Sequence, residues 1–578
     1  MSTSSDETRE SRLETLRNTK HVPVLIVGGG INGVGTFRDL SLQGVDCVLV
    51  EKDDFCAGAS RAPSRMIHGG LKYLETGEFR LVRESAQERN RLLRNAPHYV
   101  SPLEMIIPIH SWIGGTLPAF FKMLRLPVRM KQRGALVIKL GLWLYDLYGS
   151  FQRVMPRHRI IARQDILREI PDLDPSLKIA ASYYDAWITS PERLVIELVL
   201  DGMAANAGSL AFNHLRFNTV RGNLVELQDA ETGEIFTLTC DVMVNAAGAW
   251  IDQVNEATAA GRTMIGGTKG SHLMLDLPAL AQTLHGRMIY FEAEGGRICI
   301  LSNFMGNVLL GSTDIPVKDP DGVICDDEEV DYLLDAFRRL FPNVPVDRSS
   351  IFFSYSGVRP LPANDAVDPG GVSRDHSMPE IAPQGDRHFP ILSLVGGKWT
   401  TFRAFSAEAT DNILHHLGRR RSASTADIAI GGGEGLAQAA GPTEALLSTI
   451  TDETGLGRGR AQQLVARYGA RAKAVAKAVS EGETFVRSLP EFSNEEIAFI
   501  CRTELVLHAE DFLFGRSTVF LERPLDREAL VELVGVIAGC LEWDGEQEAR
   551  EIDRLVDRFR RLHRIDVSTG QDRAMRFV

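Results

Sequence analysis

Apolar residues follow two different periods along the chain. Val22 to Val27 is a short apolar run rich in β-branched residues, which predicts a buried strand. It ends in Gly28-Gly29-Gly30-Ile31-Asn32-Gly33-Val34-Gly35, and a helical pattern follows to about Gln43. Asp46 to Glu51 holds a second strand, Cys47-Val48-Leu49-Val50, completing a βαβ unit. Phe79 to Arg94 is charged and periodic, which predicts a helix with an exposed face. Leu238 to Asn245 predicts another buried strand, running into Ala246-Ala247-Gly248. From Thr263 to Ser354 short strands dominate (Ser271–Leu275, Ile298–Leu301, Val308–Gly311), as in an antiparallel sheet. Ile391 to Leu394 is a last buried strand before Gly396-Gly397-Lys398 and a helix. Beyond Gly431-Gly432-Gly433 the pattern is helical from about 440 to 565, with no convincing strand, so the glycine break predicts a domain boundary.

Composition narrows the classes. With 44% apolar and 24% charged residues the 578-residue chain reads as a folded, multidomain protein. A net charge of −12 and no arginine-rich tail argue against a nucleic-acid partner. The seven cysteines are scattered and form no CxxC pair, as expected of free thiols in a reducing compartment, without a zinc or disulfide framework; no metal site is expected. Residues 1–20 lack the apolar core of a secretory signal and are expected to be a flexible leader. No apolar stretch is long enough to span a bilayer.

Gly28, Gly30 and Gly33 match G-x-G-x-x-G. The first glycine permits the tight turn, the second lets backbone approach a pyrophosphate, and the third lets helix and strand pack. The helix start at Ile31 and Asn32 offers unpaired N–H groups to phosphate. Glu51, at the end of the second strand, can accept from ribose hydroxyls. The fingerprint alone does not separate FAD from NAD. Small residues at Ala247 and Gly248, followed by Trp250, and the later Gly396-Gly397-Lys398 loop suit a split cofactor domain with an antiparallel insertion, hence FAD.

Further blocks occur in order: Glu51–Phe55 (EKDDF), Met66–Leu74 (MIHGGLKYL), Glu78–Val82 (EFRLV), Lys269–His272 (KGSH), Gly311–Asp314 (GSTD), Tyr355–Pro360 (YSGVRP) and Gly396–Thr401 (GGKWTT). Together they resemble the FAD-dependent, quinone-linked glycerol-3-phosphate dehydrogenases from about residue 22 to 405, and more faintly through Leu464–Ala470 (LVARYGA). The resemblance implies an α/β fold: a glutathione-reductase-like FAD-binding (Rossmann) domain, an antiparallel β substrate domain like that of D-amino-acid oxidase, and an all-α C-terminal domain. The expected division is an oxidoreductase region, 21–430, and a helical domain, 431–578. Within the first, the FAD-binding part is 21–105, 160–262 and 355–430. The substrate part is 263–354 with a basic apolar excursion at 106–159. The implied reaction takes hydride from C2 of sn-glycerol 3-phosphate to flavin N5, with electrons passed to quinone.

The resemblance assigns Arg359 and Arg374 as substrate arginines, a fork suited to phosphate, against a reading of surface ion pairs. Lys398 would stabilise developing negative charge or be a solvated loop lysine. Thr400 and Thr401 bond flavin oxygens or cap the next helix. His68 and His272 are both candidate bases, and the residues do not choose between them. Ser60 and Ser64 line the cofactor or cap their loop. Lys72, with Tyr73, stands where the family pattern has arginine, and Arg61-Ala62-Pro63-Ser64-Arg65 replaces a serine-rich stretch, so a larger polyol phosphate such as erythritol phosphate stays open. Phe120 to Trp143 mixes apolar residues with Lys122, Arg125, Arg129, Lys131, Arg133 and Lys139, suiting either a lipid interface on the inner face of the cell membrane or a packed helix with a solvated basic face. The resemblance also allows a homodimer. An oxygen-reducing oxidase and a flavin-bound sensor without turnover are the rival readings.

Overall fold

The computed structural model describes residues 8–71, 78–112, 134–149, 155–258, 261–363, 375–436, 440–567 and 576–578. Two sheets organise it. In the first, strand His21–Val27 lies between Cys47–Val50 and Ile235–Asn245, parallel to both, and Ile391–Ser393 continues the parallel set. The register aligns Val27 with Val50 and Asn245, and Asn245 with Ser393. One edge of the sheet therefore emits the glycine loop, Glu51, Ala246-Ala247 and the Leu394–Gly397 turn together, where ligands bind in open α/β sheets. His21–Val27, Cys47–Val50, Val242–Asn245 and Ile391–Ser393 are largely buried on both faces, which is why they read as apolar runs. Helices Ile31–Leu42, Pro191–Ala205 and Phe402–His416 pack against this region. Gly202 lets Phe37 approach; a Cβ there would lie 2.6 Å from the ring.

The second sheet runs Ile315–Pro316, Thr268–Leu275, Asn307–Gly311, Ile298–Phe304, Met288–Glu292, Val100–Ile109, Ile179–Ile188 and Met66–Ile67. Ile351–Arg359 pairs with Thr268–Leu275, and Arg159–Ala162 with Ile179–Ile188. Strands at 66–67, 100–109, 159–162, 179–188 and 351–359, which the expected division gave wholly or partly to the FAD-binding part, pair within this second sheet. A strand's own residues specify burial and not which sheet it joins. Helix Asp327–Leu340 closes one side, started by a capping box between Asp326 and Glu329. Glu329 then reaches back to buried Lys269 Nζ at 2.7 Å, so this block lysine is part of the frame.

Residues 9–18 correct the flexible leader: they form a helix capped by Thr8, with Leu13 and Leu16 buried on the first sheet and Arg9 paired to Asp229 at 2.6 Å. Two apolar residues one turn apart suffice to dock it. The tail is helical from Ala440–Thr454 to Gly545–His563, but it holds short hairpin strands at Phe485–Val486 with Leu489–Ser493 and at Ile565–Asp566 with Arg576–Phe577. Three of these four strands have only two residues, which leaves no period to read. The tail's apolar core is continuous with Phe352, Phe353 and Tyr355 of the substrate sheet. Buried Arg193–Glu504 and Arg516–Asp54 ion pairs, both forked, tie it to the first sheet. All seven cysteines are free thiols. Among the described residues no helix is long and apolar enough to cross a membrane.

Candidate functional site

The glycine loop is built by contacts that exclude side chains. Gly28 holds φ +112°, and a Cβ there would lie 2.5 Å from the Ala246 carbonyl oxygen; one on Gly33 would lie 2.0 Å from the Gly28 oxygen. Gly30 caps the helix without a side chain, the Ile31 N–H donates to Ser60 Oγ at 3.0 Å, and Trp399 Nε1 donates to the Ser60 carbonyl. Glu51 is turned on to the loop: its carboxylate accepts from the Gly29 and Asp53 N–H groups at 2.6 and 3.0 Å. Burial, and then Asp53, push its pKa up.

The other strand ends close around this loop. Asn32 Nδ2 donates to the Gly396 carbonyl at 3.2 Å, and Gly397, at φ +89°, presses close to the same amide. Ala247 N–H bonds Asn245 Oδ1, Gly248 holds φ +58°, and Trp250 covers Gly58 with Lys52 Nζ 4.3 Å over its ring. Asn32 Oδ1 and Thr401 Oγ1 are buried without a hydrogen-bond partner within the protein. Such atoms are expensive to leave unpaired, and a cradle that cannot take a Cβ, with two orphaned polar atoms beside it, fits a dinucleotide cofactor. Gly28, Gly30, Ile31, Gly33, Ser60, Ala247, Gly248 and Thr401 surround that cradle.

Residues 60–70 link this cradle to the substrate sheet. Ser64 Oγ and His272 Nε2 are 2.8 Å apart. His272 is buried, stacked on Tyr355 at a centroid distance of 4.8 Å, and fits only because Gly311 has no Cβ. Burial, then the charges of Arg359 and Arg65, lower its pKa to about 3, so its imidazole is neutral. Its Nδ1 is buried without a protein partner. Arg359 lies over Gly270 on the neighbouring strand, forked to Asp314 Oδ1 (3.1 Å) and Ser312 Oγ (2.9 Å). Tyr355 donates to the Pro63 carbonyl at 3.1 Å. Four residues on, the His68 N–H donates to Thr400 Oγ1 at 3.1 Å, and Lys398 Nζ donates to Ser85 Oγ at 2.6 Å.

Thr400 is thus a hydrogen-bond acceptor, and neither it nor Thr401 makes a side-chain cap. Arg65 is buried against Glu192 at 2.7 Å, over the Phe304 ring, so it is a structural ion pair. Lys72, Tyr73 and Arg374 lie outside the described residues.

Ser312, Asp314 and Tyr355 lie in the quoted blocks, where no role was read for them, and Ser85 lies outside every block; their partners became visible only in the fold. Gly69 N–H donates to Tyr145 Oη (2.9 Å) and Asp185 Oδ1 (3.0 Å), and Arg89 donates to both acceptors. Burial raises the pKa of Asp185 despite that arginine. Tyr145 comes from the excursion read for its apolar and basic surface.

Known proteins share this chain's fold and domain order. A family model for the FAD-dependent oxidoreductases matches residues 23–439, and one for the C-terminal domain of alpha-glycerophosphate oxidase matches 423–548. The chain is 32% identical over 570 residues to a glycerol-3-phosphate dehydrogenase of Synechocystis, covering 93% of this chain and 96% of that protein. It is 30% identical over 520 residues to a D-erythritol 1-phosphate dehydrogenase of Brucella abortus, covering 88% and 97%. The structure of a glycerol-3-phosphate dehydrogenase from Bacillus halodurans, complexed with FAD, has the same fold, with a TM-score of 0.73 at 22% identity over 96% of this chain and 98% of that one. The chain belongs to the FAD-dependent oxidoreductases, in the glycerol-3-phosphate dehydrogenase family, and its cofactor is FAD.

Proposed function

We propose that the chain oxidises sn-glycerol 3-phosphate to dihydroxyacetone phosphate at the C2 hydroxyl and passes the electrons to a membrane quinone. The observation that carries this reading is the run Ser64–His272–Arg359 on one face of the substrate sheet: a polar hydroxyl, a neutral imidazole behind it and a guanidinium beside it. Bound FAD supplies the hydride acceptor. Arg359 holds the phosphate in its fork. Half-buried Ser64 meets the substrate hydroxyl, and its hydrogen bond to neutral His272 Nε2 gives the leaving proton an acceptor. Lys398 stabilises the oxygen as its proton leaves, and His68, tied to Thr400 through its backbone, orients the same centre. Arg374, Lys72 and Tyr73 complete the substrate contacts in this proposal.

The relative that acts on D-erythritol 1-phosphate supports a second reading, a longer polyol phosphate. The match to the C-terminal domain of alpha-glycerophosphate oxidase supports oxygen as an alternative acceptor. Anaerobic flavin bleaching with glycerol 3-phosphate, D-erythritol 1-phosphate and free glycerol separates the substrates. Peroxide formed without added quinone would identify an oxidase. A flavin that stays oxidised with every polyol phosphate would sink both readings.

We further propose that the enzyme is peripheral on the inner face of the cell membrane. Helix Ala135–Gly149 turns Leu136, Leu140 and Trp143 outward, 63%, 58% and 57% exposed, with Lys139 exposed beside them, while Leu142 and Tyr145 face inward. Co-sedimentation with anionic vesicles, lost in Leu140→Glu, is the expected result. A homodimer remains part of this proposal through the family alone.

A further inference from the structure

Away from the site, two histidines and a glutamate meet at the seam between the first sheet and the C-terminal domain. His214 follows strand Leu210–Phe212, and Glu231 lies in the turn between strands Leu224–Asp229 and Ile235–Asn245. His508 stands at the start of helix Ala509–Gly515. One ligand atom from each of the three lies within 4.8 Å of the other two. The two imidazoles are buried and meet edge to face, with ring centroids 4.7 Å apart.

Each ring also has a buried carboxylate of its own. Asp511 accepts from His214 at 3.0 Å, and Glu551 bonds His508 Nδ1 at 3.0 Å, leaving His508 Nε2 2.8 Å from Glu231. Glu551 is itself held, its second oxygen accepting the Ala509 N–H at 2.9 Å. A carboxylate behind a histidine is the outer shell that orients an imidazole toward a metal. Two imidazoles and one carboxylate are the donor set of three-ligand zinc centres, with a further position open. Glu231 is the one partly exposed member, so the open side faces solvent.

We propose that His214, Glu231 and His508 bind one divalent cation of the zinc type, which pins the C-terminal domain to the cofactor-binding sheet. The ligands are separated by 294 positions (508 − 214), and two of them come from the sheet half, so the ion would act as a crosslink between domains.

The test uses the FAD-loaded, full-length enzyme stripped with chelator and titrated with Zn²⁺ alone. The expected result is one Zn²⁺ per chain and a rise in the unfolding temperature. Glu231→Gln, at a partly exposed turn where folding is safe, should abolish the stoichiometric site. Glu551→Gln, which removes only the outer carboxylate, should weaken it by ~10–100-fold. The proposal is overturned if the stripped wild-type enzyme takes up no stoichiometric Zn²⁺, or if Glu231→Gln and His508→Gln bind it as the wild type does.

Discussion

Ser64 Oγ lies 2.8 Å from Nε2 of His272, joining the loop below the cofactor cradle to the middle of the substrate sheet. A serine on a loop and a histidine 208 positions later are hydrogen-bonded, and the proposed reaction uses them as one acid–base unit. Ser64→Ala should retain FAD and folding yet lower kcat by ~10²-fold, the range of a lost proton-transfer partner. Stopped-flow flavin reduction under anaerobic conditions measures it. An unchanged reduction rate would remove Ser64 from the proton path.

His272 also makes stability depend on pH. Its pKa is about 3 in the folded protein against an ordinary 6.5, so the unfolded chain binds the extra proton first. The contribution is present in full above 6.5 and drains away as pH falls from there toward 3. Urea unfolding of wild type and His272→Gln across that window should show the variant with the shallower pH dependence. Parallel curves would contradict a buried neutral imidazole.

Arg359→Ala removes the fork beside His272. Charge-assisted hydrogen bonds contribute roughly 1.5–3 kcal/mol, which corresponds to a kcat/KM lower by about 10–150-fold. Arg359→Lys should recover part of the charge and little of the geometry. Steady-state kinetics with glycerol 3-phosphate decide this, and flavin content should be unchanged in both variants.

Tyr145→Phe keeps a ring but removes an acceptor from the Gly69 N–H and a donor to Asp185. Leaving buried polar groups underpaired costs about 1–3 kcal/mol. The expected outcome is a lower melting temperature together with slower flavin reduction, since Gly69 adjoins His68. Gly69→Ala should be worse, because its Cβ would lie 2.3 Å from Tyr145 Oη.

Breaking a buried ion pair gives the stability prediction for the tail. Glu504→Ala strands Arg193, which burial would otherwise penalise, and should cost about 3–5 kcal/mol. Replacing both partners with apolar residues should restore much of that loss. Chemical denaturation of the wild type and the two variants measures it.

The glycine loop could be read before any coordinates because its constraint is local: the turn at Gly28 and the packing at Gly33 each demand a missing Cβ within one short stretch. The parallel strands were legible for a similar reason, being buried on both faces. Val100–Ile109 and Ile179–Ile188 break their apolar residues with Ser, Pro, Glu and Asp, so they gave no clear run, and nothing in them says which sheet they join. Arg65 stood out only as part of a loop that departs from the family pattern, and its partner Glu192, distant in sequence and adjacent in space, shows in the fold alone. His272 was singled out with the correct neighbours in its block, but its neutrality depends on burial that no motif records.

The shared core of the substrate strand and the tail also bears on how such a chain can be divided. Phe353 stacks on His563 and meets Phe559 edge to face, while Tyr355, two residues along the same strand, stacks on His272. Only a few rings separate the last long helix from the acid–base pair. The glycine break at 431–433 therefore marks a change of architecture and not a line of cleavage. Residues upstream of it, expressed alone, would leave Phe352, Phe353 and Tyr355 without the apolar partners that bury them here.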